Sequence, residues 1–443
     1  MIRQKYSVTV QELLTFKSRL LAFSAGFEVS CILDSNEISA ALGKNNYELL
    51  AGIGSKLSFS NTENDFSELK KFHEAQKDWL FGVMPYSNKS NDGNKTSNNQ
   101  DLFFFQPLIV ITITSINSLE WQVTILSELN PELVYSNIME SVLVDGTIQP
   151  ASFAPVISKD QYINTISEIR SDIENGDYYE LNFCQEFRTD QKNFDSELIY
   201  SKLCAKSPAP FSALLKIPGY ELVCMSPERF LSHQQGSLVA QPIKGTRRRG
   251  ANAEEDEKLM NELFFSEKER AENVMIVDLT RNDLSNVCPA GNVKVTELFG
   301  IYKFPHVIQM ISTVEGQLKV ELVNDKLADK VLQNELNEEN INSDLPFKAI
   351  DNCFPMGSMT GAPKVEVMKR IAKYETGKRG FYSGCIGYIS PEGDFDFNVV
   401  IRTLIYNKTL KQLSYWVGRA ITFDSNSEEE YEECLLKAKG ILS

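Results

Sequence analysis

Hydrophobic residues follow two periods along this chain. A period of two marks strands, and a period near 3.6 marks a few amphipathic helices. Residues 27–33 (FEVSCIL) predict a strand that ends at the polar turn Asp34-Ser35-Asn36. Residues 102–114 carry the alternation IVITIT and predict a second strand, with residues 121–126 as its hairpin partner. The Asn/Ser-rich stretch 87–101 predicts a long loop. Ser158-Lys159-Asp160-Gln161 opens a helix whose apolar stripe is Tyr162, Ile166, Ile169 and Ile173, and Gly176 stops it. Strands are predicted over 179–187, 212–217 and 221–225, then one long helix, open to a break, over 253–285. Residues 320–345 are polar and read as an insertion, and 363–372 as a helix with proline in its first turn. Residues 379–390, 395–406 and 412–417 predict an antiparallel set, and 427–442 a closing helix. Helices and hairpins alternate without a regular βαβ beat. The expected class is α+β (mixed α/β) with antiparallel sheets. Residues 145–158 are the best candidate boundary, dividing an N-terminal subdomain (1–150) from the remainder of the chain (151–443).

Composition narrows the function. The chain has 443 residues and a formal net charge of −15, which argues against a nucleic-acid or membrane-surface binder. No apolar run approaches the roughly 18–20 residues of a membrane span. The start, MIRQKYSVTVQELL, has no export signal. The eight cysteines are scattered with no CxxC pair and read as reduced core residues of a cytoplasmic protein. Three histidines are too few for a His-rich metal centre.

Several stretches could carry chemistry. PIKGTRRRG (242–250) puts Lys244 at a strand-to-loop corner beside Gly245 and follows it with three arginines. It reads either as a solvated basic loop paired with Glu254–Glu257 or as an anion site with one lysine placed for chemistry. Glu269 and Glu272 share a helix face, as do Glu430, Glu433 and Lys437. Such pairs usually line a solvated face, but two of them could hold a hard divalent cation. GSMTGAPK (357–364) leads small residues into a helix N-terminus, which is either a capped tight loop or an anion cradle. Glu228 leaves an apolar strand in SPERF (226–230), as a surface turn or as a carboxyl with raised pKa. His306 stands alone, and Arg402 lies in an apolar strand where burial would demand an anion. No GxSxG elbow and no cysteine with a His/Glu pair for glutamine hydrolysis is present.

Taken together and in order, SPERF, PIKGTRRRG, AENVMIVDLTRNDL, FPHVIQMISTVEG, FPMGSMTGAPKVEVMKRI, RGFYSGCIGYI, FNVVIRT and SEEEYEECLLKAKGIL resemble the chorismate-utilising enzymes over about residues 155–442. The resemblance implies the anthranilate-synthase-type fold: large antiparallel sheets, flanked by helices, enclosing a cleft for chorismate and Mg2+. It implies metal-site glutamates at Glu269, Glu272, Glu430 and Glu433, with Glu272 and Glu433 foremost as direct ligands. It implies substrate-carboxylate contacts at Tyr382, Arg402, the backbone near Gly418 and Lys437. Glu228 matches the general acid, His306 the histidine beside the reacting ring, and Ser358 and Thr360 the hydroxyl-bearing loop. Members that aminate chorismate at C2 resemble this chain but carry a small residue at the Lys244 position. Members that aminate at C4 carry lysine, as a buried amine with lowered pKa that attacks C2 before ammonia arrives at C4. The resemblance therefore implies C4 amination on the route to 4-aminobenzoate and folate, with ammonia delivered by a separate glutamine amidotransferase subunit. C2 amination and a non-catalytic chorismate-binding role are the alternatives. Glu180 stands where many relatives have glutamine, and Arg419 where glycine or alanine is usual. Leu33-Asp34-Ser35 resembles the start of an N-terminal tryptophan-binding motif, or is a simple strand-end turn.

Overall fold

The computed structural model describes residues 3–38, 47–62, 65–86, 100–148, 151–318 and 338–439. The predicted loop at 87–101 and the predicted insertion at 320–345 fall largely outside the described residues, as does the end of the closing helix.

Every strand pairing among the described residues is antiparallel, and the pairings form one branched ladder. The branch is the long strand Leu102–Asn117, which pairs with Leu49–Asn61 on one side and with Leu80–Met84 and Glu120–Ser127 on the other. One arm runs from Leu49–Asn61 through Ser30–Asp34, Phe211–Ile217, Tyr220–Ser226, Thr403–Asn407 and Gln412–Ile421 to Glu180–Asp190. The other runs from Leu80–Met84 through Cys385–Ile389, Phe395–Asn398, Arg229–Gln234 and Ser237–Gln241 to Val307–Gln317. Val307–Gln317 also pairs with Ile243–Arg248 and Val293–Lys303. Strands from before residue 150 are thus built into both arms.

The local predictions translate into this frame. In the helix Lys159–Glu174, Ser158 and Gln161 form a reciprocal capping box, and Tyr162, Ile166, Ile169 and Ile173 are the buried face. Each isoleucine removed from water there contributes about 2 kcal/mol. The long helix predicted over 253–285 is two, Ala253–Phe264 and Glu267–Ser285, because Ser266 caps the second through the Glu269 N–H. The strand predicted over 395–406 is also two, Phe395–Asn398 and Thr403–Asn407, one in each arm. Residues 399–402 carry the chain across. The Val399 and Val400 N–H groups donate to the Glu228 and Gly384 carbonyls, and Arg402 takes a φ of +50°. Arg402 therefore stands at a crossing between arms, not within a strand.

All eight cysteines are unpaired. No helix among the described residues is long and apolar enough to cross a membrane.

Candidate active site

Among the contacts between the two arms is one ion pair. Ile243–Arg248 begins with a register shift against Val307–Gln317 between Ile243 and Thr246, a bulge that re-aims Lys244. Gly245 makes this possible with φ +90°; a Cβ there would come within 2.9 Å of Leu263 and 3.0 Å of the Glu269 carboxylate. Lys244 Nζ reaches Glu180 Oε1, at the start of the strand Glu180–Asp190, at 2.7 Å. Both side chains are buried, Glu180 to 1% exposure. Burial alone would lower the Lys244 pKa, in the direction the sequence led one to expect. The Glu180 charge and hydrogen bond, with Glu272 and Glu228 nearby, outweigh it and raise the pKa instead.

Glu228 precedes the strand Arg229–Gln234 and is buried. Burial pushes its carboxyl up to about 7, against the opposing pull of Ser358, Lys244 and the Ile243 N–H. Glu228 and Ser358 line a cleft of about 370 Å³ with Pro242, Thr280, Met356 and Gly357. The Thr360 hydroxyl faces its own loop instead. It donates to the Met356 and Gly357 carbonyls at 3.2 Å and closes the loop on itself. The loop is held by a buried ion pair that spacing does not distinguish from a surface i,i+4 pair. Arg379 binds Glu375 at 2.7 Å and donates to the Met359 and Asn182 carbonyls. Arg229, which could have been a surface residue, is fully buried. It makes a two-point contact with Asp396 and lies 4.9 Å above the Phe211 ring.

A second group of cations gathers on the first arm. Arg402 is half-buried, with its pKa lowered by burial, and among the described residues no carboxylate lies within ion-pair distance of it. Partial burial, then the positive charges of Arg419 and Arg402, push the Lys437 ammonium down to about 8, although 46% of the side chain meets solvent. Tyr382 is buried and stacks on Trp416 at 5.6 Å. At Gly418 any Cβ would come within 2.9 Å of the Tyr382 hydroxyl and 2.8 Å of Cys184 Sγ, so only glycine leaves that surface open.

The four expected metal glutamates have the right donor chemistry for a hard dication, but their placement does not suit one. Glu269 is paired with Arg247 at 2.9 Å, and Arg419 bridges Glu430 and Glu433. Glu272 is left with its pKa raised, by burial first and by Glu180 and Glu269 next. No three acidic, histidine or cysteine groups converge among the described residues. Of the three consecutive arginines, Arg248 and Arg249 pair with Glu255 and Asp256 as the solvated-loop reading expects; Arg247 alone turns inward.

His306 lies elsewhere. It is exposed in the turn between Val293–Lys303 and Val307–Gln317, where its carbonyl accepts the Arg249 N–H. Among the buried polar residues of that strand, Gln309 is paired in register with Thr246 and lies 3.5 Å from its hydroxyl. Its position three residues past His306 carried no signal of its own. The Asp34-Ser35 turn is pinned by Lys17, which binds Asp34 at 2.8 Å and Glu48 at 2.9 Å. Beside it lies an open cleft of about 470 Å³ lined by Leu33, Asp34, Ser35, Phe211 and Tyr388.

A lysine in a largely buried ion pair, a buried carboxyl raised toward neutrality and a group of cations on the first arm mark this region as a candidate active site. The chain belongs to the family described as chorismate binding enzyme, which it matches over residues 26–331 and 337–443. It is 39% identical over 300 residues to the chloroplastic aminodeoxychorismate synthase of Arabidopsis thaliana, covering 67% of this chain and 30% of that protein. It is 37% identical over 291 residues to aminodeoxychorismate synthase component 1 of Bacillus subtilis, covering 65% of this chain and 56% of that one. Anthranilate synthase component 1 of Acetivibrio thermocellus is also 37% identical, over 290 residues, 65% of this chain and 53% of that one. The chain thus matches about a third to just over half of the length of these relatives. The crystal structure of anthranilate synthase component I from Streptococcus pneumoniae superposes with a TM-score of 0.67 at 25% identity, covering 82% of this chain and 80% of that one. The menaquinone-specific isochorismate synthase of Escherichia coli shares the fold, with a TM-score of 0.71 at 13% identity, covering 100% and 95%.

Proposed function

We propose that this chain aminates chorismate at C4, giving 4-amino-4-deoxychorismate for 4-aminobenzoate and folate. The observation that carries the reading is Lys244, buried at the meeting of the two arms with Glu228 close enough to feel its charge. The free amine of Lys244 attacks C2; the two conjugated ring double bonds shift together and the C4–O bond breaks. Glu228, whose carboxyl is raised to about 7, gives its proton to the departing hydroxide, which leaves as water. Ammonia then attacks C4, both double bonds shift back, and the C2–N bond breaks to release the lysine; Glu228 regains its proton from solvent. Arg402 and Lys437, with Tyr382 and the open backbone at Gly418, receive the substrate carboxylates. Ser358 lines the same cleft as Glu228, with its buried hydroxyl free to bond the substrate. Mg2+ remains an expectation from the family, and no step is routed through it, because arginines hold three of its four glutamates. Ammonia comes from a separate glutamine amidotransferase, consistent with the component 1 names among the relatives.

C2 amination is the second reading, favoured by the anthranilate synthase names among equally similar relatives. The test feeds chorismate, Mg2+ and an ammonium salt to the purified chain and locates the new nitrogen. Nitrogen at C4 is expected; anthranilate as product would refute the proposal. Lys244→Ala is expected to lose C4 amination, and undiminished C4 product would exclude the covalent route.

A further inference from the structure

The proposed reaction begins with a difficulty that the geometry exposes. Lys244 must attack as a free amine, yet it stands 2.7 Å from a buried carboxylate as half of an ion pair. Nearby charges do not relieve this. Glu228 and Glu272 also favour the ammonium, and Glu269 beside Glu272 is occupied by Arg247. Solvent is a poor acceptor at a site where the lysine side chain is 11% exposed and Glu180 1%. Glu180 is the acceptor already in hydrogen-bond contact.

We infer that Glu180 is a further catalytic residue, the general base that takes the Lys244 proton and so frees the nucleophile. The inference rests on the covalent role proposed above for Lys244. The proton passes from Nζ to Oε1, leaving a neutral amine and a neutral carboxyl. The amine lone pair forms the N–C2 bond, and the electrons of the breaking C4–O bond leave with hydroxide on the Glu228 proton. The bridging nitrogen is then a secondary ammonium, so it departs as the neutral amine when ammonia attacks C4. Glu180 returns its proton to Lys244 and the pair is reset. The second oxygen supports the assignment. Glu180 Oε2 is buried with no hydrogen-bond partner among the described residues, an arrangement that a structural ion pair has no reason to keep. It can accept one further N–H, which incoming ammonia brings. A glutamine in this position could bond Lys244 but could not hold its proton.

The test isolates the first step. Without ammonia, the lysine adduct accumulates and is followed by intact-protein mass spectrometry from pH 6.5 to 9. The wild-type rate is expected to show no rise from the lysine ionisation, because that proton moves internally, and only the fall above pH 7 that loss of the Glu228 proton imposes. Glu180→Gln is expected to form the adduct about a hundredfold more slowly at pH 7 and to gain on the wild type as pH rises. Glu180→Asp, which keeps the carboxylate but draws it back from Nζ, should fall between the two. Chorismate binding and melting temperature report whether each variant is folded. A Glu180→Gln chain that matches the wild type in rate and profile overturns the inference while leaving the covalent route intact. Absence of any adduct in the wild type, with C4 product retained by Lys244→Ala, would instead overturn the route itself.

Discussion

Replacing Glu228 by glutamine separates what the residue does for chemistry from what it costs the fold. Its carboxyl is raised from 4.5 to about 7 by burial. An unfolded chain releases that proton near 4.5, so the folded state holds it over the interval between the two values. Below about 4.5 both states are protonated and stability is unaffected; between about 4.5 and 7 only the unfolded chain ionises, so stability falls as pH rises and levels off above 7, where the fold carries the buried charge. At about 1.4 kcal/mol per tenfold change in proton affinity, the interval corresponds to about 3 kcal/mol. Glu228→Gln keeps the shape and cannot ionise. Thermal melts should therefore find variant and wild type alike at pH 4, the gap opening by pH 5, and the variant more stable at pH 8, by up to about 3 kcal/mol. Amination should fall by about 10²–10⁴-fold for want of a proton donor. In the wild type, kcat/KM should decline above pH 7 as the acid is lost. A stability difference that does not grow between pH 5 and pH 8 would refute the reasoning, since burial of a charge is its only source.

Two further substitutions probe the cations of the first arm. Arg419→Gly removes the guanidinium that bridges Glu430 and Glu433. It should tighten Mn2+ binding at least about tenfold, roughly 1.4 kcal/mol, measured by calorimetry on the substrate-free chain; unchanged affinity would show that the arginine does not compete for those carboxylates. Gly418→Ala forces a methyl against the Tyr382 hydroxyl and Cys184 Sγ. It should destabilise the chain by about 1–3 kcal/mol and weaken chorismate binding, read by melting temperature and fluorescence titration.

Much of the scaffold was legible because its signals are local. The helix over Lys159–Glu174 wrote its cap, stripe and stop within 19 residues, and the hairpin after Leu102 wrote its alternation in six. Long-range choices were not legible. Nothing in FDFNVVIRT says that the chain changes arms at 399–402, because hydrogen bonds to the Glu228 and Gly384 carbonyls decide it. The site divides the same way. Residue types at Glu228 and Lys244 announced chemistry, and burial does raise the Glu228 carboxyl. The sign of the Lys244 shift depended on Glu180, 64 residues away in sequence. Arg419 stood out in the sequence as an unusual residue and Arg247 as one of three arginines, but neither spacing pointed to the glutamate it pairs with.

The branched ladder has a consequence for how such a site can be lost. Lys244 and Glu180 hang from the far ends of separate arms, and the strand Leu102–Asn117 is where those arms join. Neither arm contains the Lys244–Glu180 pair by itself. The pair is a property of closure, in the way a lock is a property of a door and its frame. A fragment bearing the whole PIKGTRRRG segment is expected to carry an ordinary solvated amine, and slackening at the shared strand, more than 120 residues from Lys244 in sequence, is expected to part Lys244 from Glu180 before it unfolds the chain.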